Sequence, residues 1–179
     1  SWLKTQGLNA GDRVAGFAAN RVETVIAMLA TTSLGAIWSS CSPDFGVGGI
    51  LDRFTQIEPK ILFAVSAHCY AGKTIYHQAT LEKLMAGLPS LTHLVLMPDL
   101  YSLQPQKPAA TTHAPENKCQ VIEWHRIAGL GTGFNSVPLT TPELEFYPAA
   151  FSDPLFIMYS SGTTGIPKCI VHSVGGTLL

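Results

Sequence analysis

A mostly parallel α/β sheet with flanking helices is the fold class this sequence predicts, and three observations lead to it. Charged residues make up 13% of the 179 and hydrophobic residues 46%, against a charged fraction of about 25% in typical soluble domains. Two short continuous apolar runs, KILFAV at 60–65 and HLVLM at 93–97, have the composition of strands buried on both faces. Segments of helical period lie between such runs, so strand and helix alternate three times within the first hundred residues, the pattern of βαβ units.

The elements follow in order. Gly11-Asp12 is a turn signal, and RVAGFAA over 13–19 reads as a short buried strand. Asn20 is a plausible N-cap for a helix over 22–34, in which Val22, Val25, Ile26 and Leu29 share one apolar face. Gly35 stops that helix and Ala36-Ile37-Trp38 returns as a strand. A loop, Ser42-Pro43-Asp44-Phe45-Gly46, leads to a helix over 47–57 with Ile50, Leu51, Phe54 and Ile57 inward, stopped by Pro59. The runs at 60–65 and 93–97 are strands, with a helix expected over 75–85 between them, before Gly87 and Pro89. Residues 98–118, with four prolines and little periodicity, read as a long surface excursion. Short strands are expected at 120–124, 155–159 and 169–172. Trp38 and Phe54 read as core residues.

Composition excludes several function classes. A net charge of −1 provides no broad basic field for a nucleic acid. No apolar run reaches the roughly 18 residues that span a bilayer, so no membrane span is expected. Cys41, Cys69, Cys119 and Cys169 form no CxxC pair, which favours reduced thiols and a cytoplasmic setting. His68 has no second ligand at metal spacing and reads as a loop histidine, and no metal site is expected. Asp44 and Arg53 are close enough in sequence for a local ion pair on the surface.

The chemistry is concentrated in Tyr159-Ser160-Ser161-Gly162-Thr163-Thr164-Gly165-Ile166-Pro167-Lys168. Two glycines let backbone N–H groups turn toward an anion, four serine and threonine hydroxyls add donors, and the lysine adds a mobile charge. The run is not a Walker A loop: its glycines are three apart, Pro167 precedes the lysine, and Cys169 stands where a magnesium-binding hydroxyl belongs. Pro167 pushes Ile166 toward extended geometry, which predicts a loop joining two strands rather than one feeding a helix. The dinucleotide pattern GxGxxG is also absent.

Ser160 to Lys168 meets every position of [ST]-[ST]-G-[ST]-[ST]-G-x-P-K and so resembles the phosphate loop of the adenylate-forming superfamily, which includes acyl-CoA synthetases, peptide adenylation domains and luciferases. The likeness extends over nearly the whole chain. Asn20-Arg21-Val22-Glu23 and Gly35-Ala36-Ile37-Trp38-Ser39-Ser40 are similar to segments of that superfamily. So is His172 with Gly175-Gly176, in its acetyl-CoA and acetoacetyl-CoA branch. The segments 41–46, 51–54 and 56–60 resemble the acetoacetyl-CoA side of that branch.

The resemblance implies that residues 1–179 are part of a large N-terminal domain, truncated at both ends: Ser1 opens straight into Trp2-Leu3, and Leu179 ends within an apolar run. It implies an enzyme that activates a short-chain acid with ATP to an acyl-adenylate and passes the acyl group to CoA. Acetoacetate is the favoured acid; acetate or propionate, or an inactive folding or binding unit, are the alternatives. Ser160, Ser161, Gly162, Thr163, Thr164, Gly165 and Lys168 would bind ATP phosphates. Tyr70-Ala71-Gly72-Lys73 stands where acetyl-CoA synthetases carry Arg-Ala-Gly-Arg against the nucleotide end of CoA, though it reads equally as an exposed helix start. His172 is a candidate for the acyl pocket or a structural histidine. Mg²⁺ would be bound mainly by the remainder of the chain, which would also supply the adenylating lysine, leaving no catalytic residue here.

Overall fold

The computed structural model describes residues 2–98, 119–128, 145–160 and 165–179. A seven-stranded sheet organises them. Its strands are β1 (Arg13–Phe17), β2 (Ile37–Cys41), β3 (Ile61–Val65), β6 (His93–Met97), β7 (Gln120–Glu123), β8 (Pro154–Ser160) and β9 (Lys168–Ser173), in the spatial order β7-β6-β3-β1-β2-β8-β9. Every neighbouring pair is parallel except β8–β9. Strands β4 (Ala67–Tyr70) and β5 (Lys73–Tyr76) form a separate two-stranded hairpin. The helices are α1 (Trp2–Thr5), α2 (Val22–Thr32), α3 (Val47–Ile57), α4 (Gln78–Gly87), α5 (Trp124–Ile127) and α6 (Val174–Leu178).

Strand β3 shows why the central strands lack the alternation of a half-wet sheet. All five of its residues are buried, and the period-two geometry sends them to different layers. Leu62 and Ala64 meet Ile50, Phe54 and Ile57 of α3 and Leu81, Leu84 and Met85 of α4. Ile61, Phe63 and Val65 join Trp38, Leu3, Leu8, Ala27 of α2 and Trp124 of α5 on the opposite face. Trp38 and Phe54 are core residues, as expected. Gly16 lies under Trp38 so closely that a Cβ would stand 2.6 Å from the indole ring.

Helix α3 spans the residues its periodicity predicts. It ends on Glu58 in the left-handed region (φ 47°), whose N–H bonds to Phe54 O. Arg13 then satisfies its terminal carbonyls, donating from Nε to Ile57 O at 2.6 Å, as C-terminal basic side chains do.

Three expectations are corrected. The α2 face formed by Val22, Val25, Ile26 and Leu29 points outward, at 48–73% exposure, while Ala27 and Thr31 face the sheet. Small residues there let helix and sheet approach closely, so the inward stripe is the less hydrophobic one. Arg21, not Asn20, occupies the N-cap, without a side-chain cap; its guanidinium instead bonds Glu23 and the Pro98 carbonyl. The helix expected over 75–85 begins only at Gln78, because 73–76 form the second strand of the β4–β5 hairpin. The excursion expected at 98–118 lies outside the described residues beyond Pro98. All four cysteines are free thiols.

Candidate functional site

Because β1, β2, β3 and β8 run parallel, their carboxyl ends share one edge of the sheet. The chain leaves that edge in two directions: after β1 toward α2, and after β2 toward α3 on the other face. Such a reversal opens a crevice at the strand ends, the usual ligand position in open α/β sheets. Here the crevice holds about 410 Å³. It is lined by Ala18 to Asn20 after β1, Ser40 to Asp44 at the end of β2, and His68 to Tyr70 of β4.

The glycine-rich run leaves the same edge. It connects β8 to β9 as antiparallel neighbours, with Ser160 opposite Lys168, so it joins two strands, as Pro167 predicts. Ser161, Gly162, Thr163 and Thr164 lie outside the described residues. Ser160 is half-buried, and Gly165 and Lys168 are exposed. Gly165 has φ 140° and open space around its Cβ position, a conformation that favours glycine.

The base of this loop is braced by contacts that no motif announces. Gln56 Nε2 donates to Pro167 O at 2.9 Å, and Cys169 Sγ lies 3.4 Å from Gln56 Oε1. Ser39 Oγ donates to Ile157 O at 2.8 Å and lies 3.1 Å from the Tyr159 hydroxyl, which donates to Arg53 O at 3.3 Å. Burial pushes the Tyr159 phenol well above its ordinary range, so it stays a neutral donor. Burial likewise raises the Cys41 thiol to about 11.

Arg53 does not pair with Asp44. Its guanidinium sits 4.4 Å from the Phe45 ring centroid and 5.7 Å from that of Tyr159, and bonds Gly49 O. These ring faces offer cation–π attraction that a solvated carboxylate does not have to match. Asp44 turns instead to Ser42 and His68. The Ser42 hydroxyl, with His68 and His77, holds the Asp44 carboxyl below its usual range.

His68 is not a loop residue. It is buried in β4, with Nε2 at 3.1 Å from Asp44 Oδ1 and Nδ1 at 2.6 Å from Nε2 of buried His77. Tyr70, Ala71, Gly72 and Lys73 form the exposed turn of the β4–β5 hairpin, with positive φ at Ala71 and Gly72. They are therefore a type I′ turn rather than a helix start. His172 is exposed on β9, opposite Phe156. Among the described residues no group of three or more His, Cys, Asp or Glu side chains is placed to hold a metal ion. No helix among them is long and apolar enough to cross a membrane.

A mostly parallel α/β sheet with a crevice at its carboxyl edge, beside a hydroxyl- and glycine-rich run, is an architecture that commonly takes its ligand there. The chain belongs to the AMP-binding enzyme family, whose model matches residues 1–179. It is 47% identical to acetoacetyl-CoA synthetase of Mus musculus over 99% of the chain and 25% of that protein. It is 44% identical to acetoacetyl-coenzyme A synthetase of Rhizobium meliloti (strain 1021) over 99% of the chain and 24% of that protein. The structure of acetoacetyl-CoA synthetase from Streptomyces lividans superposes with a TM-score of 0.80 at 35% identity, covering 99% of this chain and 24% of that one. The chain thus spans about a quarter of the length of these relatives.

Proposed function

We propose that these residues form the phosphate-loop portion of the N-terminal domain of an ATP-dependent acid–thiol ligase whose acid is acetoacetate. The observation that carries this reading is the run 160–168 standing between antiparallel β8 and β9 at the carboxyl edge of the sheet. The similarity to acetoacetyl-CoA synthetases over 99% of the chain favours acetoacetate among short acids.

A carboxylate has no good leaving group. In the proposed reaction its oxygen attacks the α-phosphorus of ATP, the bond to pyrophosphate breaks, and an acyl-adenylate forms. The CoA sulfur then attacks the acyl carbon and AMP leaves with the bonding electrons. The first step gathers charge on the departing pyrophosphate, which fixed donors at the loop offset. Ser160, Ser161, Thr163 and Thr164 would supply hydroxyls, Gly162 and Gly165 would admit backbone N–H groups, and Lys168 would screen the outer phosphates. Tyr70, Ala71, Gly72 and Lys73, beside the crevice, would receive the nucleotide end of CoA, and His172 would face the acyl group. The described residues do not fit a magnesium site, so no step is assigned to Mg²⁺; a cation entering with ATP would take protein ligands elsewhere. The four free thiols support a cytoplasmic setting.

Pyrophosphate exchange by the full-length enzyme, compared across acetate, propionate, butyrate and acetoacetate, tests this. Acetoacetate is expected to be preferred; a clear preference for acetate overturns the acyl assignment alone. ATP hydrolysis without any carboxylate would overturn the ligase reading. The 179 residues by themselves are expected to show no exchange.

A further inference from the structure

The β4–β5 hairpin is held almost entirely at its base. All four β5 residues are exposed, and a two-stranded ribbon standing alone has little stability of its own. At its root, however, Ala67, His68 and His77 are buried. His77 N donates to Ser66 O at 2.8 Å, and the His77 ring meets Phe17 of β1 edge-on at 5.0 Å between centroids.

The two imidazoles lie within 6° of parallel with centroids 4.8 Å apart. With nitrogens 2.6 Å apart, closer than rings can stack, they must meet edge to edge in nearly one plane. Their protons then follow from their partners. Asp44, ionised, only accepts, so His68 Nε2 carries a proton toward it. Neutral His68 therefore offers a lone pair at Nδ1, and His77 Nε2–H donates into it. Ser42 Oγ, 2.8 Å from Asp44 Oδ2, fixes the far end of the series.

We propose that Asp44, His68 and His77 are positioning residues: a hydrogen-bonded clamp that ties the β4–β5 hairpin to the strand ends and so sets the place of the Tyr70–Lys73 turn for the nucleotide end of CoA. This rests on the assignment of that turn to CoA made above. The clamp links the segments following β2 and β3 across the crevice, and neither histidine takes part in adenylation.

The test uses the full-length ligase and separates its half-reactions. His77→Leu removes the donor, and is expected to raise the KM for CoA about tenfold while leaving acetoacetate-dependent pyrophosphate exchange, which needs no CoA, within about twofold. His77→Gln, which restores an Nε2–H donor, is expected to recover most of the loss. Asp44→Ala, at an exposed carboxylate, is expected to act in the same direction should His77→Leu fold poorly. Equal loss in both half-reactions, or no rescue by glutamine, overturns the positioning role. Amide hydrogen exchange over 74–76 reads the clamp without CoA: it is expected to quicken about tenfold in His77→Leu, and unchanged exchange overturns the clamp. Lys73→Ala reads the site assignment. An unchanged KM for CoA in that variant, with faster hairpin exchange in His77→Leu, overturns the CoA assignment and leaves the clamp standing.

Discussion

Gln56 in the last turn of α3 donates through Nε2 to the carbonyl of Pro167, 2.9 Å away and 111 residues later in the chain. The exit of the glycine-rich run is therefore set by a helix end that belongs to the parallel core. Replacing Gln56 by Leu leaves that carbonyl unpaired and is expected to cost about 1 kcal/mol of stability. In the full-length enzyme the KM for ATP should rise several-fold while the KM for CoA stays unchanged. Denaturant midpoints and the two KM values check this.

Lys168 faces Ser160 across the mouth of β8–β9 and is exposed, so its substitution should spare the fold. Lys168→Ala is expected to reduce acetoacetate-dependent pyrophosphate exchange by roughly 10- to 100-fold, below the ~100- to 1,000-fold cost of losing an enclosed transition-state donor because Lys168 is exposed. Lys168→Arg should recover part of it, because the charge returns with a different shape. An unchanged melting temperature in both variants would separate this loss from misfolding.

Ala71 has φ 49°, a left-handed conformation that strains residues carrying a Cβ by about 1 kcal/mol. Type I′ turns favour Asn-Gly, so Ala71→Asn is expected to stabilise the hairpin by about 0.5–1 kcal/mol. Slower amide exchange over 74–76 is the measurement.

Stability should fall on acidification below about pH 6.5, the ordinary histidine value. Burial, then the neighbouring His68, lowers the pKa of His77, with the Asp44 carboxylate opposing; burial alone lowers that of His93, which lies against Trp2 and Thr92. Each folded pKa lies below its unfolded value, so in that window the unfolded chain binds more protons and stability rises with pH. The loss begins as pH drops through about 6.5 and levels off below the folded values. His77→Gln should flatten part of the slope in denaturant titrations across that range.

How far these features were legible depends on the range of the interactions behind them. Helix α3 and the strand at 93–97 coincide with their periodic or continuous apolar patterns because local pattern and burial agree there. The hairpin was not legible. Ile75 and Tyr76 read as helix, and the Ala-Gly pair at 71–72 lacks the Asn or Asp that usually marks its turn. The α2 face misled because contact with the sheet is made by Ala27 and Thr31, whose small size matters more than hydrophobicity. At the site, the hydroxyl–glycine run was plain in the sequence. Its bracing by Ser39, Arg53, Gln56 and Tyr159 was not, since each reaches its partner across scores of residues. His68 stands alone in the sequence, and only the fold shows that it is half of a pair.

Among the described residues strand β9 ends the sheet order, and Met158, Ile170 and Val171 beside that edge are 45–57% exposed. An unpaired row of N–H and C=O groups flanked by apolar side chains is a template for any extended chain that meets it. A 179-residue protein of this sequence should therefore self-associate with rising concentration, by strand addition at β9 rather than by loss of its core. Among the described residues that edge, together with the outward apolar face of α2, sets its solubility, while the centre of the sheet is sealed.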